Sequence, residues 1–137
     1  MSYAGDVTPA EAYAAVTGEE GALLVDVRTR AEWTYVGVPE LEGRGHEVAF
    51  VEWSTFPDGR INGSFVDQLR SAGLEAGRPV YLICRSGVRS VAAATALTAA
   101  GLGPAYNVLE GFEGPHDAHG HRTVGGWKNA GLPWRQG

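Results

Sequence analysis

A disulfide within the chain is excluded, because its 137 residues include a single cysteine, Cys84. A lone thiol suits a reducing compartment. Basic residues are scarce: Lys and Arg total 11 against 16 Asp and Glu, a formal charge of −5. A general nucleic-acid binder would present a basic face instead. No apolar run approaches the ~20 residues that span a membrane. The opening MSYAGDVTPAEAY lacks a basic stretch leading into an apolar core, so nothing there reads as a secretory signal. The expectation is one cytoplasmic domain with neither membrane nor nucleic-acid partners. Hydrophobic residues at 44% and charged residues at 20% argue against disorder.

Strand and helix signals alternate along what remains. Thr8-Pro9-Ala10-Glu11 sets Thr at an N-cap, Pro at the first helical position and Glu at the third. That capping box predicts a helix to Thr17, closed by a left-handed Gly18. Ala22 to Val27, ALLVDV, is an apolar run broken by Asp26, as in a strand buried on both faces. A second capping box, Thr29 to Glu32, starts a short helix through Trp33. Residues 36 to 45 read as loop. His46 to Val51 is a strand candidate and Pro57-Asp58-Gly59 a turn. Asn62 caps a helix with Phe65 and Leu69 on one face. Pro79 to Ile83, PVYLI, is the clearest strand, and Cys84 to Gly87 is the turn after it. Val88 to Ala100 is an Ala-rich helix ended by Gly101. Ala105 to Leu109 is a last strand, and one helix is expected near 123–130. This alternation implies an α/β fold with a parallel sheet.

In such folds ligands bind beyond the carboxyl ends of strands. Cys84 sits at such an end, followed by Arg85-Ser86-Gly87-Val88-Arg89-Ser90. Ser86 and Gly87 let the backbone curl so that successive N–H groups converge into an anion cradle. The helix starting near Val88 adds its positive end. Such surroundings lower a thiol from about 8.5 to roughly 3.5–7.5, so a thiolate is the expected resting form. It is a nucleophile for sulfur or phosphorus. Cysteine phosphatases need five residues between Cys and Arg to wrap a phosphate. Only four separate Cys84 from Arg89, and Ser90 stands at the sixth position. Phosphatase and arsenate reductase chemistry are therefore disfavoured.

The run CRSGVRS on a strand-to-helix turn resembles the active-site loop of rhodanese-like sulfurtransferases. LLVDVRTRAEW (Leu23 to Trp33), NVLEG (Asn107 to Gly111) and GGWKNAGLPW (Gly125 to Trp134) resemble further family segments in the same order. The resemblance implies a single domain over residues 1–137, its core about 8–134. It implies a central five-stranded parallel sheet flanked by helices on both faces. It also implies transfer of sulfane sulfur through a persulfide on Cys84. The implied donor is thiosulfate or another persulfide, and the implied acceptor cyanide or a thiol, with a protein donor or acceptor also among the implied partners. Arg85, Ser86, Gly87, Val88, Arg89 and Ser90 form the implied cradle, with Asp26 and Arg28 as a supporting ion pair. No cofactor and no metal are implied. Two departures stand out. The segment TYVGVPELEGRGHEVAF lacks the Gly-His-Ile-Pro-Gly-Ala run of many members, and Phe112 replaces a second Gly after Glu110-Gly111.

Plainer readings compete. Cys84 could be a small core hydrophobe. Arg89 could turn inward to pair with Asp26, leaving Arg85 to face the anion. His116, His119 and His121 have ligand-like spacing with Asp117 as a weak fourth group, but an exposed Gly/His loop is the favoured reading. Trp33, Trp53, Trp127 and Trp134 read as packing. A non-catalytic sulfur carrier or persulfide sensor would share Cys84.

Overall fold

The computed structural model describes residues 3–18, 22–35, 37–39, 48–54, 60–84, 88–109, 111–112, 126–127, 130 and 132–135. In chain order these form β1 (Gly5–Val7), α1 (Pro9–Gly18), β2 (Leu23–Asp26), α2 (Arg30–Tyr35), β3 (Val38–Pro39) and β4 (Val48–Phe50). They continue as α3 (Phe65–Ser71), β5 (Ala76–Ile83), α4 (Val88–Ala99), β6 (Gly103–Val108) and β7 (Trp134–Arg135). A five-stranded sheet runs in the order β1-β6-β5-β2-β4, and every pairing in it is parallel.

The alternation of side chains across the pleat sorts the core into two layers. Leu23, Val25, Val80, Leu82, Cys84 and Ala105 pack with Phe65 and Leu69 of α3 and with Ala93, Ala94 and Leu97 of α4. Leu24, Tyr81, Ile83 and Val108 pack on the other side with Ala12 and Val16 of α1, Phe112 and Trp127. Helices thus cover both faces, which is why β2 is buried along its whole length. Both capping boxes form. The Thr8 N–H donates to Glu11 Oε1 at 2.8 Å and the Glu11 N–H to Thr8 Oγ1 at 3.1 Å. Thr29 and Glu32 repeat the exchange at 3.1 and 3.3 Å. Helix α4 ends at a left-handed Gly101 (φ 78°), where the Leu102 N–H returns to the Leu97 carbonyl at 3.0 Å.

Several local expectations are corrected. Gly18 does not turn left-handed; it is the last residue of α1. Asn62 is not the N-cap of α3, since Ser64 occupies that place. Asn62 instead accepts the Ser64 N–H on Oδ1 at 3.0 Å and donates to the Glu52 carbonyl at 2.8 Å, an Asx turn that leads into the helix. Within the segment read as loop, Val38–Pro39 pairs antiparallel with Trp134–Arg135. Strand β1 carries no apolar alternation and is held by its register on β6. The helix expected near 123–130 lies mostly outside the described residues. Of it, Gly126, Trp127 and Ala130 make a turn closed by the Ala130 N–H on the Gly126 carbonyl at 3.0 Å. The Pro57-Asp58-Gly59 turn also lies outside. No helix among the described residues is long and apolar enough to cross a membrane.

Candidate active site around Cys84

Strand β5 ends at Ile83, and Cys84 follows at its carboxyl end with 1% of its surface exposed. The strand lies between β6 and β2, so the thiol sits over the middle of the sheet. The Cys84 carbonyl accepts the Phe112 N–H at 2.7 Å, which ties the site to the turn after β6. Arg85, Ser86 and Gly87 lie outside the described residues, as do His116, Asp117, His119 and His121. Val88 is the first residue of α4.

Ser90, fully buried in the first turn of α4, meets the sulfur directly: its Oγ lies 3.3 Å from Cys84 Sγ. The same hydroxyl donates to Asn107 Oδ1 at 2.5 Å. Parallel register places Asn107 of β6 between Leu82 of β5 and Asp6 of β1. Its Nδ2 donates to Asp6 Oδ1 at 3.0 Å, and that oxygen also accepts the Tyr3 hydroxyl at 2.7 Å. Hydrogen bonds from Asn107 and then Tyr3 hold the Asp6 carboxyl below its ordinary range, against a smaller opposing effect of burial. A file of polar groups therefore runs from exposed Asp6 on β1, through β6 and α4, to the thiol.

The charged residues around the loop pair differently from the simplest expectation. Arg28 and Asp26, both fully buried, face each other at the end of β2, with Arg28 Nη2 2.7 Å from Asp26 Oδ2 and Nε 3.0 Å from Oδ1. Arg28 Nη2 also donates to the Gly37 carbonyl at 2.7 Å, and the guanidinium lies 4.3 Å from the centre of the Phe112 ring. Phe112 is thus the shelf under Arg28. With Asp26 so engaged, Arg89 does not pair with it. Arg89 makes a two-pronged bond to Glu32 of α2, at 2.6 and 2.8 Å. The cradle role read for Arg89 is thereby qualified, because two of its N–H groups hold α2 to α4. The hydrogen bonds to Glu32 raise the Arg89 pKa most; burial opposes this, and Coulombic interactions with Glu32, Cys84 and Asp26 add to the rise.

Glu32 carries a pH dependence. Burial pushes its carboxyl up, but the Arg89 bond, the Thr29 N–H, the Arg89 charge and the Thr29 hydroxyl together bring it down from 4.5 to about 2. A folded-state value below the unfolded one means that the carboxylate stabilises the fold above pH 4.5 and that this is lost as pH falls toward 2. The shift corresponds to about 3 kcal/mol for a side chain only 17% exposed. Resistance to urea unfolding should therefore fall as pH drops from about 5 toward about 2, and Glu32→Gln should remove that part of the slope. An unchanged slope in Glu32→Gln would assign the acid sensitivity elsewhere.

Asn107 and Asp6 are absent from the sequence-derived site, and Glu32 enters it only as a capping residue. A polar Asn inside the apolar run AYNVL was the one local sign of Asn107. Nothing local marks Asp6.

A family model described as a rhodanese-like domain matches residues 8–118. An uncharacterised protein of Rickettsia conorii is 34% identical over 131 residues, covering 95% of this chain and 96% of that protein. Rhodanese-like domain-containing protein 4 of the Arabidopsis thaliana chloroplast is 27% identical over 124 residues, 90% of this chain and 24% of that protein. Among solved structures, Rv0390 from Mycobacterium tuberculosis superposes with a TM-score of 0.91 at 54% identity, covering 99% of this chain and 100% of the other. The polysulfide-sulfur transferase homodimer of Wolinella succinogenes has the same fold, with a TM-score of 0.65 at 21% identity over 98% of this chain and 80% of that one.

Proposed function

Because this chain belongs to the rhodanese-like domain family, we propose that it is a sulfurtransferase that carries sulfane sulfur on Cys84. The observation that bears most weight is the position of the thiol, at the carboxyl end of a central strand and directly before α4. The positive end of a twelve-residue helix there favours an anion. The loop residues Arg85, Ser86, Gly87 and Val88 supply backbone N–H groups, and Arg85 a cation, for the terminal sulfur. Arg89 contributes through its charge while Glu32 holds its guanidinium.

The cycle has two displacements. The Cys84 thiolate attacks the outer sulfur of thiosulfate; a sulfur–sulfur bond forms on Cys84, and the donor's own sulfur–sulfur bond breaks. Sulfite leaves with the electron pair. An acceptor thiolate or cyanide then attacks the terminal sulfur of the Cys84 persulfide. The new bond carries that sulfur away as a persulfide or thiocyanate, and the Cys84 thiolate returns. Neither step needs a proton transfer, so no general base is assigned. The preorganised donors of the loop stabilise the negative terminal sulfur. A fold match to a polysulfide-sulfur transferase is compatible with this chemistry.

Thiocyanate formation from thiosulfate and cyanide tests the reading, together with the intact mass of thiosulfate-treated protein. Turnover plus a protein heavier by one sulfur atom is the expected pair of results. The added sulfur without turnover would reassign the chain as a carrier loaded for one protein acceptor. Absence of both turnover and the added sulfur would remove sulfur transfer from consideration.

A further inference from the structure

Ser90 has one proton to give and two neighbours able to take it. One is Asn107 Oδ1 at 2.5 Å, the other the Cys84 sulfur at 3.3 Å. Asp6 decides between them. An ionised carboxylate only accepts hydrogen bonds, so the side of Asn107 that faces Asp6 must be its NH₂ group. That leaves the Asn107 carbonyl toward Ser90, and the Ser90 hydroxyl must point at it. Ser90 then offers the sulfur a lone pair, which suits an S–H and opposes a bare negative sulfur.

We propose that Asp6, exposed on β1, is a positioning residue that sets the proton direction of Ser90 through Asn107. It thereby disfavours the empty Cys84 thiolate relative to the sulfur-loaded cysteine. In the loaded form the negative charge has moved to the terminal sulfur, away from Ser90, and the sulfur facing the lone pair is neutral. The consequence for loading rests on the sulfurtransferase reading; the proton direction itself does not.

The other charged groups around the sulfur act in the opposite sense or are already paired. Arg89, next to Ser90 on α4, interacts electrostatically with Cys84, and Glu32 holds its guanidinium. Asp26 and Arg28 at the end of β2 neutralise each other. Arg85 is the remaining cation of the loop sequence. On the far end of the file, Tyr3 donates to Asp6 and helps to keep it ionised. None of these residues is itself substituted in the variants below.

In Asp6→Asn the new amide can donate to the Asn107 carbonyl, which lets the whole file reverse. The Asn107 NH₂ group then faces Ser90, and the Ser90 proton is released to the thiolate. Asn107→Ala releases the same proton while keeping the Asp6 charge. A hydrogen bond to a charged acceptor is worth about a tenfold change in an equilibrium. Iodoacetamide alkylation of Cys84 below neutral pH should therefore run about tenfold faster in each variant than in wild type. At high pH, where every thiol is ionised, the rates should converge, whereas a merely loosened site would react faster at all pH values. Asp6→Asn should add nothing in the Asn107→Ala background.

Unchanged alkylation profiles in both variants would overturn the proposal. So would an additive effect of Asp6→Asn on Asn107→Ala, because the carboxylate would then act through space. Should Asn107→Ala fail to fold, Asp6→Asn alone decides by its response to salt. An effect that persists at about 1 M salt supports the hydrogen-bonded file, and one that vanishes is ordinary charge repulsion. Alkylation needs no sulfur donor, so it reads this proposal even where thiosulfate turnover is absent.

Discussion

Cys84→Ser lowers thiocyanate formation by at least about three orders of magnitude, the scale on which removal of a covalent nucleophile acts. A hydroxyl at this place cannot form the persulfide, and Ser90, whose Oγ lies 3.3 Å from the sulfur, is itself a hydroxyl. No second cysteine exists in the chain to take over. The loss should occur in a folded protein. The new hydroxyl can donate to Ser90 Oγ, whose own proton goes to Asn107, so no polar group is left unsatisfied. Stability should change by on the order of 1 kcal/mol in urea unfolding. Thiosulfate-dependent turnover that survives in Cys84→Ser would place the chemistry on another residue and end the sulfurtransferase reading built on this thiol.

The second large effect falls on stability. Arg28→Ala leaves Asp26 fully buried with its guanidinium partner gone. Breaking a buried pair in this way costs about 3–5 kcal/mol, because the remaining charge stays buried without the partner that compensated it. For domains whose total stability is about 5–15 kcal/mol, that is a fifth or more of the margin. The substitution also removes the bond to the Gly37 carbonyl and the contact with the Phe112 ring. The Phe112 N–H holds the Cys84 carbonyl, so the change loosens the backbone under the nucleophile as well. The control is Asp26→Leu/Arg28→Met, which takes both charges away at similar volume and should unfold at a higher urea concentration than Arg28→Ala. If Arg28→Ala melts like wild type, or the double variant is the weaker of the two, the pair is not the buried anchor argued for here.

Much of this was open to reading along the chain because its causes are local. A capping box needs only residues three apart, and both, at Thr8 and Thr29, form as expected. Runs such as PVYLI cannot be solvated on either face, so β2 and the Val80–Ile83 end of β5 are buried between covering layers. Cys84 followed by a Gly-containing turn and an Ala-rich helix likewise marks the carboxyl end of a strand without any tertiary knowledge.

Partnership between distant polar groups was not open in that way. Arg89 reaches Glu32 across 57 positions, and Asn107 reaches Asp6 across 101. A carboxylate reads the same whether it is solvated or paired; only the stacking of β1 on β6 and of α4 over the sheet selects its partner. For the same reason GDV looked like nothing in isolation, and Val38–Pro39 looked like loop until Trp134–Arg135 lay beside it. The pattern of apolar residues specified the layers and the strand that carries the thiol, because burial depends on each residue's own solvation. The pairings that tune the thiol came from packing, since a hydrogen bond requires its two ends to meet within about 3 Å.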